Sequence, residues 1–133
     1  MSYQTPKTDF NSESYLNIAD IQKIEDNEVA LADLIETFGT RPSVSTKTWT
    51  TSDYPTEVEL NRIETNLDNI KTAIGAPSGW QSSVTWSALQ TPTYLDFNRL
   101  GNNTVRLYTA IMNIKEAFLQ CGSLICGGGN TRL

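Results

Sequence analysis

The sequence predicts an all-α protein built as a slender three-helix bundle, or as a coiled-coil-like oligomer, with long connections that contain tryptophan. Three observations lead to this prediction. Apolar residues recur at alternating spacings of three and four in three separate stretches, which is the period of a helix with one narrow buried stripe. Glycine followed by proline ends the first two stretches. A sequence phrase also repeats along the chain, so the three helices are expected to be versions of one unit.

The repeated phrase begins at Pro55 and again at Pro92. Each copy reads Pro-Thr, two residues, an acid, an apolar residue, Asn-Arg, Ile or Leu, two residues and Asn, and a tryptophan stands six residues before the proline. The repeated residues are Trp49, Pro55, Thr56, Glu59, Asn61, Arg62 and Asn66 in one copy, and Trp86, Pro92, Thr93, Asp96, Asn98, Arg99 and Asn103 in the other. A looser copy ends at Asn27, with Phe10 in the place of the tryptophan and Gln22-Lys23 in the place of Asn-Arg.

Each copy of the phrase is typical of a helix start. Thr56 can cap free N–H groups of the first turn, and Glu59 can accept a bond from the N–H of Thr56 itself. Thr93 and Asp96 repeat this pattern. The basic residue three positions after each acid, such as Arg62, is expected to pair with it along the helix and to keep that side wet. The Asn that closes each copy sits one position before a stripe residue, where it either bonds a neighbouring helix or loop or lies in solvent.

The chain divides into an extended N-terminal arm over residues 1–14, a three-helix domain over 15–120 and a glycine-rich C-terminal tail over 121–133. Helices are predicted over about 17–38, 56–74 and 93–119. Gly39 and Gly75 are expected to end the first two. The third contains four poor helix formers from Gly101 to Thr104, but the alignment of Asn103 with Asn66 predicts that it continues through them.

The connection over residues 40–55, and the one that holds Trp80 and Trp86, are long for a compact domain. Alternating residues in both would suit short strands that pair as a small β-ladder. The interpretation that we favour is that Trp49 and Trp86 each fold over one end of the bundle as an apolar plug, since both stand at one fixed distance before a helix start. Trp80 has no counterpart at the same spacing, so it is the predicted contact residue for a partner.

The residue types argue against catalysis. The chain has no histidine, which removes the commonest general base and most zinc sites. Cys121 and Cys126 are the only cysteines, too few for a structural zinc site; we expect them to be reduced, with a late disulfide in an extracellular particle as the alternative. No glycine loop precedes a helix that could cradle phosphate. The predicted catalytic, cofactor-binding and metal-binding residues are therefore none.

The net charge of −5 argues against an electrostatic grip on nucleic acid or on an anionic membrane. Residues 1–92 carry 6 basic and 13 acidic side chains, and residues 93–133 carry 4 basic and 2 acidic ones. This uneven charge would suit head-to-tail contacts between copies, and solvated faces explain it equally well. No signal peptide or bilayer-spanning apolar run is visible, so the protein is expected to be made soluble in a cytoplasm.

The phrase from Leu60 to Asn66 resembles the Asn-Arg-Ile-Glu helix segments of tail, baseplate and tail-fibre proteins of phages that infect Gram-positive bacteria, and of related phage-tail-like particles. The stretch from Phe97 to Asn103 is similar, with Leu-Gly in the place of Ile-Glu, and the stretch from Ile21 to Asn27 is loosely similar. The resemblance implies a structural or connector component of a tail or baseplate, located in the virion after synthesis in the host cytoplasm. Its expected partners are other phage structural proteins and, given the narrow apolar stripes, further copies of itself.

Two other functions stay open from the sequence. The first is a small tail-fibre or receptor-binding module that meets a host-surface glycan or protein through its exposed aromatic residues, which would be Trp49, Trp80, Trp86, Tyr54 and Tyr94. The second is an assembly factor that works in the host cytoplasm and does not remain in the particle.

Overall fold

The computed structural model describes residues 2–13, 17–50, 52–53 and 55–123, with side chains described as far as Phe118. The chain forms three helices: α1 (Ile18–Glu36), α2 (Glu57–Ile74) and α3 (Tyr94–Ser123). Each helix packs against the other two, and the described residues contain no strand. The all-α three-helix bundle is therefore confirmed, and the alternative of a small β-ladder is wrong for this part of the chain.

The helix ends follow the local signals in the sequence. Asp20, Glu59 and Asp96 each accept a hydrogen bond from the backbone N–H of the residue before their helix, at 3.1, 3.2 and 2.8 Å. Gly75 ends α2 with a φ of 86°, a conformation that glycine adopts without strain. α1 ends at Glu36, two residues before the predicted end, and α3 continues four residues beyond its predicted end into the expected tail. The rest of that tail lies outside the described residues.

All three helices run in the same direction. Arg62, near the start of α2, bonds Glu25, near the start of α1, and Arg99 of α3 bonds Glu64 of α2 in the same way. The chain must therefore return along the bundle after α1 and again after α2. An 18-residue helix is about 27 Å long at 1.5 Å per residue. The long connections supply this return as extended segments, which explains their length.

Three extended segments lie along the helices and are called arms here. Arm 1 is residues 2–10, arm 2 is residues 40–50 and arm 3 is residues 76–86. Each arm precedes one helix and, with that helix, forms one arm–helix unit. The N-terminal arm belongs to one of three units of the same kind, since arm 1 contacts α1 and α3 as arms 2 and 3 contact their helices.

The core lies between the helices along the predicted stripes. In α2 the buried apolar residues are Leu60, Ile63, Leu67 and Ile70, and α1 and α3 contribute Ile21, Ile24, Leu31, Ile35, Phe97, Leu100, Leu107 and Ile111. Phe10 of arm 1 and Trp49 of arm 2 also pack into this core. The narrow stripes are therefore completed within one chain.

One acid occupies a stripe position in this core. Glu28 is fully buried at the position that Leu67 and Thr104 hold in the other two helices. Its Oε1 accepts a bond of 2.8 Å from Asn66, whereas its Oε2 is buried without a hydrogen-bond partner among the described residues. Burial raises the pKa of Glu28 well above the ordinary 4.5; the bond from Asn66 opposes the rise, and the charge of Glu25 adds to it.

We expect Glu28 to make the stability of the fold depend on pH. A pKa that is higher in the folded state means that Glu28 stabilises the fold fully below about pH 4.5 and that this contribution is lost as pH rises through the folded pKa. Glu28→Gln keeps an acceptor for Asn66 without the titrating proton. Urea unfolding from about pH 5 to about pH 8 should show the variant gaining on the parent as pH rises. A constant difference between the two proteins over that range would contradict this account.

Candidate functional site

The Asn that closes each copy of the repeated phrase holds an arm against its own helix. Asn27, Asn66 and Asn103 are buried. Each accepts a bond from the backbone N–H of one arm residue and donates to the C=O of the same residue. The arm residues are Gln4, Ser45 and Gln81, and the six distances lie between 2.7 and 3.0 Å. Of the two expectations for these residues, bonding to a loop is therefore confirmed.

A second amide holds the other end of each arm against the helix of a neighbouring unit. Asn61 makes the same two bonds to the backbone of Trp86, at 2.7 and 3.0 Å. Asn98 makes them to Phe10, at 2.8 and 2.9 Å. In α1 the longer Gln22 takes this role: it accepts from the N–H of Trp49 at 2.9 Å and donates to the C=O of Lys47 at 3.5 Å. Gln22 therefore bonds two arm residues, Trp49 and Lys47, whereas each asparagine bonds only one.

These six amides give the protein a cyclic order. Arm 2 lies between α2 and α1, arm 3 lies between α3 and α2, and arm 1 closes the cycle between α1 and α3. The closing Asn thus holds each arm–helix unit together, and the second amide joins that unit to its neighbour. The result is an approximate three-fold arrangement within a single chain.

A buried ion pair reinforces the junction of the first two units. Glu25 is inaccessible to solvent, and Arg62 binds both of its oxygens, at 2.8 and 2.7 Å from Nη2. The indole Nε1 of Trp49 donates to the same carboxylate. The guanidinium and the indole together satisfy a charge that would otherwise be costly to bury.

The junction of the second and third units has the same chemistry. Glu64, 4% exposed, accepts bonds from Arg99 and a bond of 2.9 Å from the indole Nε1 of Trp86. Two expectations from the sequence are corrected here. The arginines pair across the bundle and are largely buried, so they do not keep a helix side wet; the expected local pair is present at Arg99, 3.9 Å from Asp96. The rings of Trp49 and Trp86 are buried, but they lie on the flanks of the helices at these carboxylates and do not cover the bundle end.

The junction of the third and first units does not have this ion pair, because all three residues that form it at the other junctions are different here. The glutamate is replaced by Gly101, the arginine by Lys23 and the tryptophan by Phe10. A Cβ atom on Gly101 would lie 2.8 Å from the carbonyl oxygen of Lys7, so arm 1 runs too close for any side chain there. The ring of Phe10 packs edge-on against Phe97, with 6.4 Å between the ring centres. Packing of apolar surface takes the place of the ion pair.

The remaining predicted site residues have structural surroundings of their own. Pro55 and Pro92 stand just before Thr56 and Thr93, the residues that precede the helices. Trp80 is partly buried against the core, and the ammonium of Lys71 lies 5.6 Å from its ring centre. Tyr54 and Cys126 lie outside the described residues, as does the side chain of Cys121.

Glu25 and Glu64 were missed as site residues by the sequence reasoning. The signal was present, because each is the Glu of an Ile-Glu pair that follows the basic residue, and the third copy has Gly101 at that position. The three replacements fall on two copies, Phe10 and Lys23 in the first and Gly101 in the third, so they point to one junction only when these two copies are placed side by side. The intervening distance along the chain concealed this, since Arg62 and Glu25 are 37 residues apart.

Comparison of the chain with protein-family models, with curated proteins and with solved structures found no match. Across the described residues, no helix combines the length and the apolar character needed to cross a membrane. The same residues hold no group of three or more Cys, Asp and Glu side chains placed to bind a metal ion. The repeated polar residues whose contacts the structure gives are occupied in holding arms and units together.

Arg62→Met tests the buried ion pair. Removing the guanidinium leaves the carboxylate of Glu25 buried with the indole as its remaining donor, and we expect the free energy of unfolding to fall by about 3–5 kcal/mol. Chemical denaturation followed by circular dichroism measures this change.

Lys23→Met is the matched control, because Lys23 holds the equivalent position at the junction without a glutamate. It should change the free energy of unfolding by less than about 0.5 kcal/mol. Equal losses in the two variants would show that the ion pair contributes no more than its aliphatic packing.

Proposed function

We propose that this protein is a structural or connector component of a phage tail or baseplate, or of a related phage-tail-like particle. It acts through protein–protein assembly, without catalysis and without a cofactor. The resemblance to phage tail proteins rests on the segment from Leu60 to Asn66, and the structural role of this segment supports the proposal. Its polar residues each hold an arm or a neighbouring unit in place: Asn61, Arg62, Glu64 and Asn66.

In this chain the motif has a scaffolding role. Its side chains leave no reactive group pointing into a cleft, and the chain has no histidine to serve as a base. A unit whose repeated amides, arginines and tryptophans are all hydrogen-bonded within the chain is suited to hold a fixed geometry between neighbours. We therefore assign the phrase to architecture, and we place the contacts with other particle proteins and with further copies of the chain on the outer surface.

The receptor-binding alternative finds less support among the aromatic residues. Trp49 and Trp86 are 6% and 7% exposed, so their faces are not available to a glycan. Tyr94 is 38% exposed, and Trp80 is half-buried with the ammonium of Lys71 over its ring. Trp80 therefore remains the proposed contact residue for a partner protein of the particle.

The proposal is tested by mass spectrometry of density-purified particles from cells that produce the protein. Its peptides should be present at a ratio to the main tail proteins that is constant between preparations. An abundant host cytoplasmic protein, followed in the same fractions, serves as the control for carry-over. If the protein is present in lysates but falls to the level of that control protein in the purified particles, the proposal is contradicted and the assembly factor is favoured.

The three tryptophans should separate folding from partner contact. Trp49→Ala and Trp86→Ala each remove a buried ring together with a donor to a buried carboxylate, and each should lower the free energy of unfolding by about 3–5 kcal/mol. Trp80→Ala should lower it much less and should reduce incorporation into particles. Denaturant melts and particle mass spectrometry measure the two effects. A Trp80→Ala variant that was the least stable of the three would contradict this assignment.

A further inference from the structure

Arg106 stands apart from the other arginines whose side chains are described. Arg41, Arg62 and Arg99 each bond a carboxylate of the same chain. Arg106 has no such partner, and its Nη1 atom is buried without a hydrogen bond. It lines a groove of about 390 Å³ between arm 3 and α3, whose residues are Pro77, Ser78, Val105, Arg106, Thr109, Ala110 and Asn113.

The guanidinium is held in this groove by the backbone of arm 3. Gly79 has a φ of 84°, and a Cβ atom at this position would lie 2.7 Å from Nε of Arg106. Glycine therefore lets the arm pass directly against the guanidinium. In the second unit the equivalent helix position is Asn69, which donates to the C=O of Ser43 in its own arm at 3.0 Å. Arg106 makes no such internal bond, and its guanidinium lines the groove with one nitrogen buried and unbonded.

The groove has the chemistry of a carboxylate site with an apolar neighbour. A guanidinium matches a carboxylate through two parallel hydrogen bonds. Pro77, Val105 and Ala110 form apolar walls beside it, and no second basic residue lines the groove, which disfavours inorganic phosphate. The fitting ligand is an acidic side chain that is followed or preceded by an exposed apolar one.

The described part of the chain offers one such pair. Among its acidic residues, only Glu13 and Glu57 have side chains with no hydrogen bond or ion pair. Glu57 is followed by Val58, which is 67% exposed, whereas Glu13 is preceded by Ser12. Within one chain, Glu57 and the level of Arg106 are separated by about 18 Å along the bundle, since the equivalent Asn69 lies 12 residues after Glu57.

We propose that the groove beside Arg106 receives the first turn of α2 from a second copy of this chain. Glu57 of the incoming copy pairs with Arg106, and Val58 packs against Pro77, Val105 and Ala110. The contact joins unlike surfaces, so it continues from copy to copy as a ring or a filament. This inference rests on the proposed function, because it specifies how copies of a structural component meet.

Sedimentation velocity over a range of protein concentrations tests the contact. The parent should self-associate, and Arg106→Glu and Glu57→Lys should each weaken association by at least about tenfold, because each places like charges opposite one another. An equimolar mixture of the two variants should associate again. In that mixture Glu57 of one variant can meet Arg106 of the other.

Glu13→Lys and Lys115→Glu are the matched controls, since they make the same charge changes at residues outside the groove. Both should associate like the parent. A parent that stays monomeric, variants that behave like their controls, or a mixture that stays monomeric would each overturn the inference. Particle mass spectrometry reports on the proposed function independently: a monomeric chain found in particles would overturn this contact alone, and a self-associating chain missing from particles would overturn the function.

Discussion

Backbone hydrogen bonding of the three arms is the constraint on which the rest of this structure depends. Because the helices are parallel, the chain is at the far end of the bundle when α1 or α2 ends. An extended segment must then return along the bundle to the start of the next helix. Each returning segment has N–H and C=O groups that lie against helices and lack a neighbouring strand. Asn27, Asn66 and Asn103 solve this problem, since an amide side chain presents one donor and one acceptor in the spacing of a backbone partner.

The buried ion pairs add specificity to this arrangement. An ion pair in a protein interior contributes little net stability, because desolvation offsets most of the attraction, whereas an unpaired buried charge is strongly destabilising. A unit that docked in the wrong place would leave Glu25 or Glu64 without its arginine. Since the third junction uses Phe10 and Gly101 in place of charges, the three junctions are not interchangeable. The order of the units around the bundle is thus encoded by which junctions carry charge.

The sequence predicted the number of helices, their stripes and five of their six ends to within two residues, because these depend on local periodicity and capping. An extended arm was predicted only at the N-terminus; the parallel direction, the two connections as arms and the cross-bundle pairing were not predicted. These depend on contacts between residues far apart in the chain. A basic residue such as Arg62 has an acid both three residues before it and two residues after it, and the local helix rule selects the first. The structure gives Arg62 a third acid, Glu25, in another helix.

The cyclic order of the contacts has a consequence for the origin of such a chain. Each of the first two junctions joins the arm and the arginine of one unit to the second amide and the glutamate of the unit before it, so the second unit contains both halves of the contact. Three separate copies of a unit like the second could satisfy the same bonds around an exact three-fold axis. A short homotrimeric ancestor, triplicated and fused, would already have possessed this core. Fusion would free each repeat to diverge, and the differences at Phe10, Lys23 and Gly101, which meet at one junction, are of the kind that this would allow.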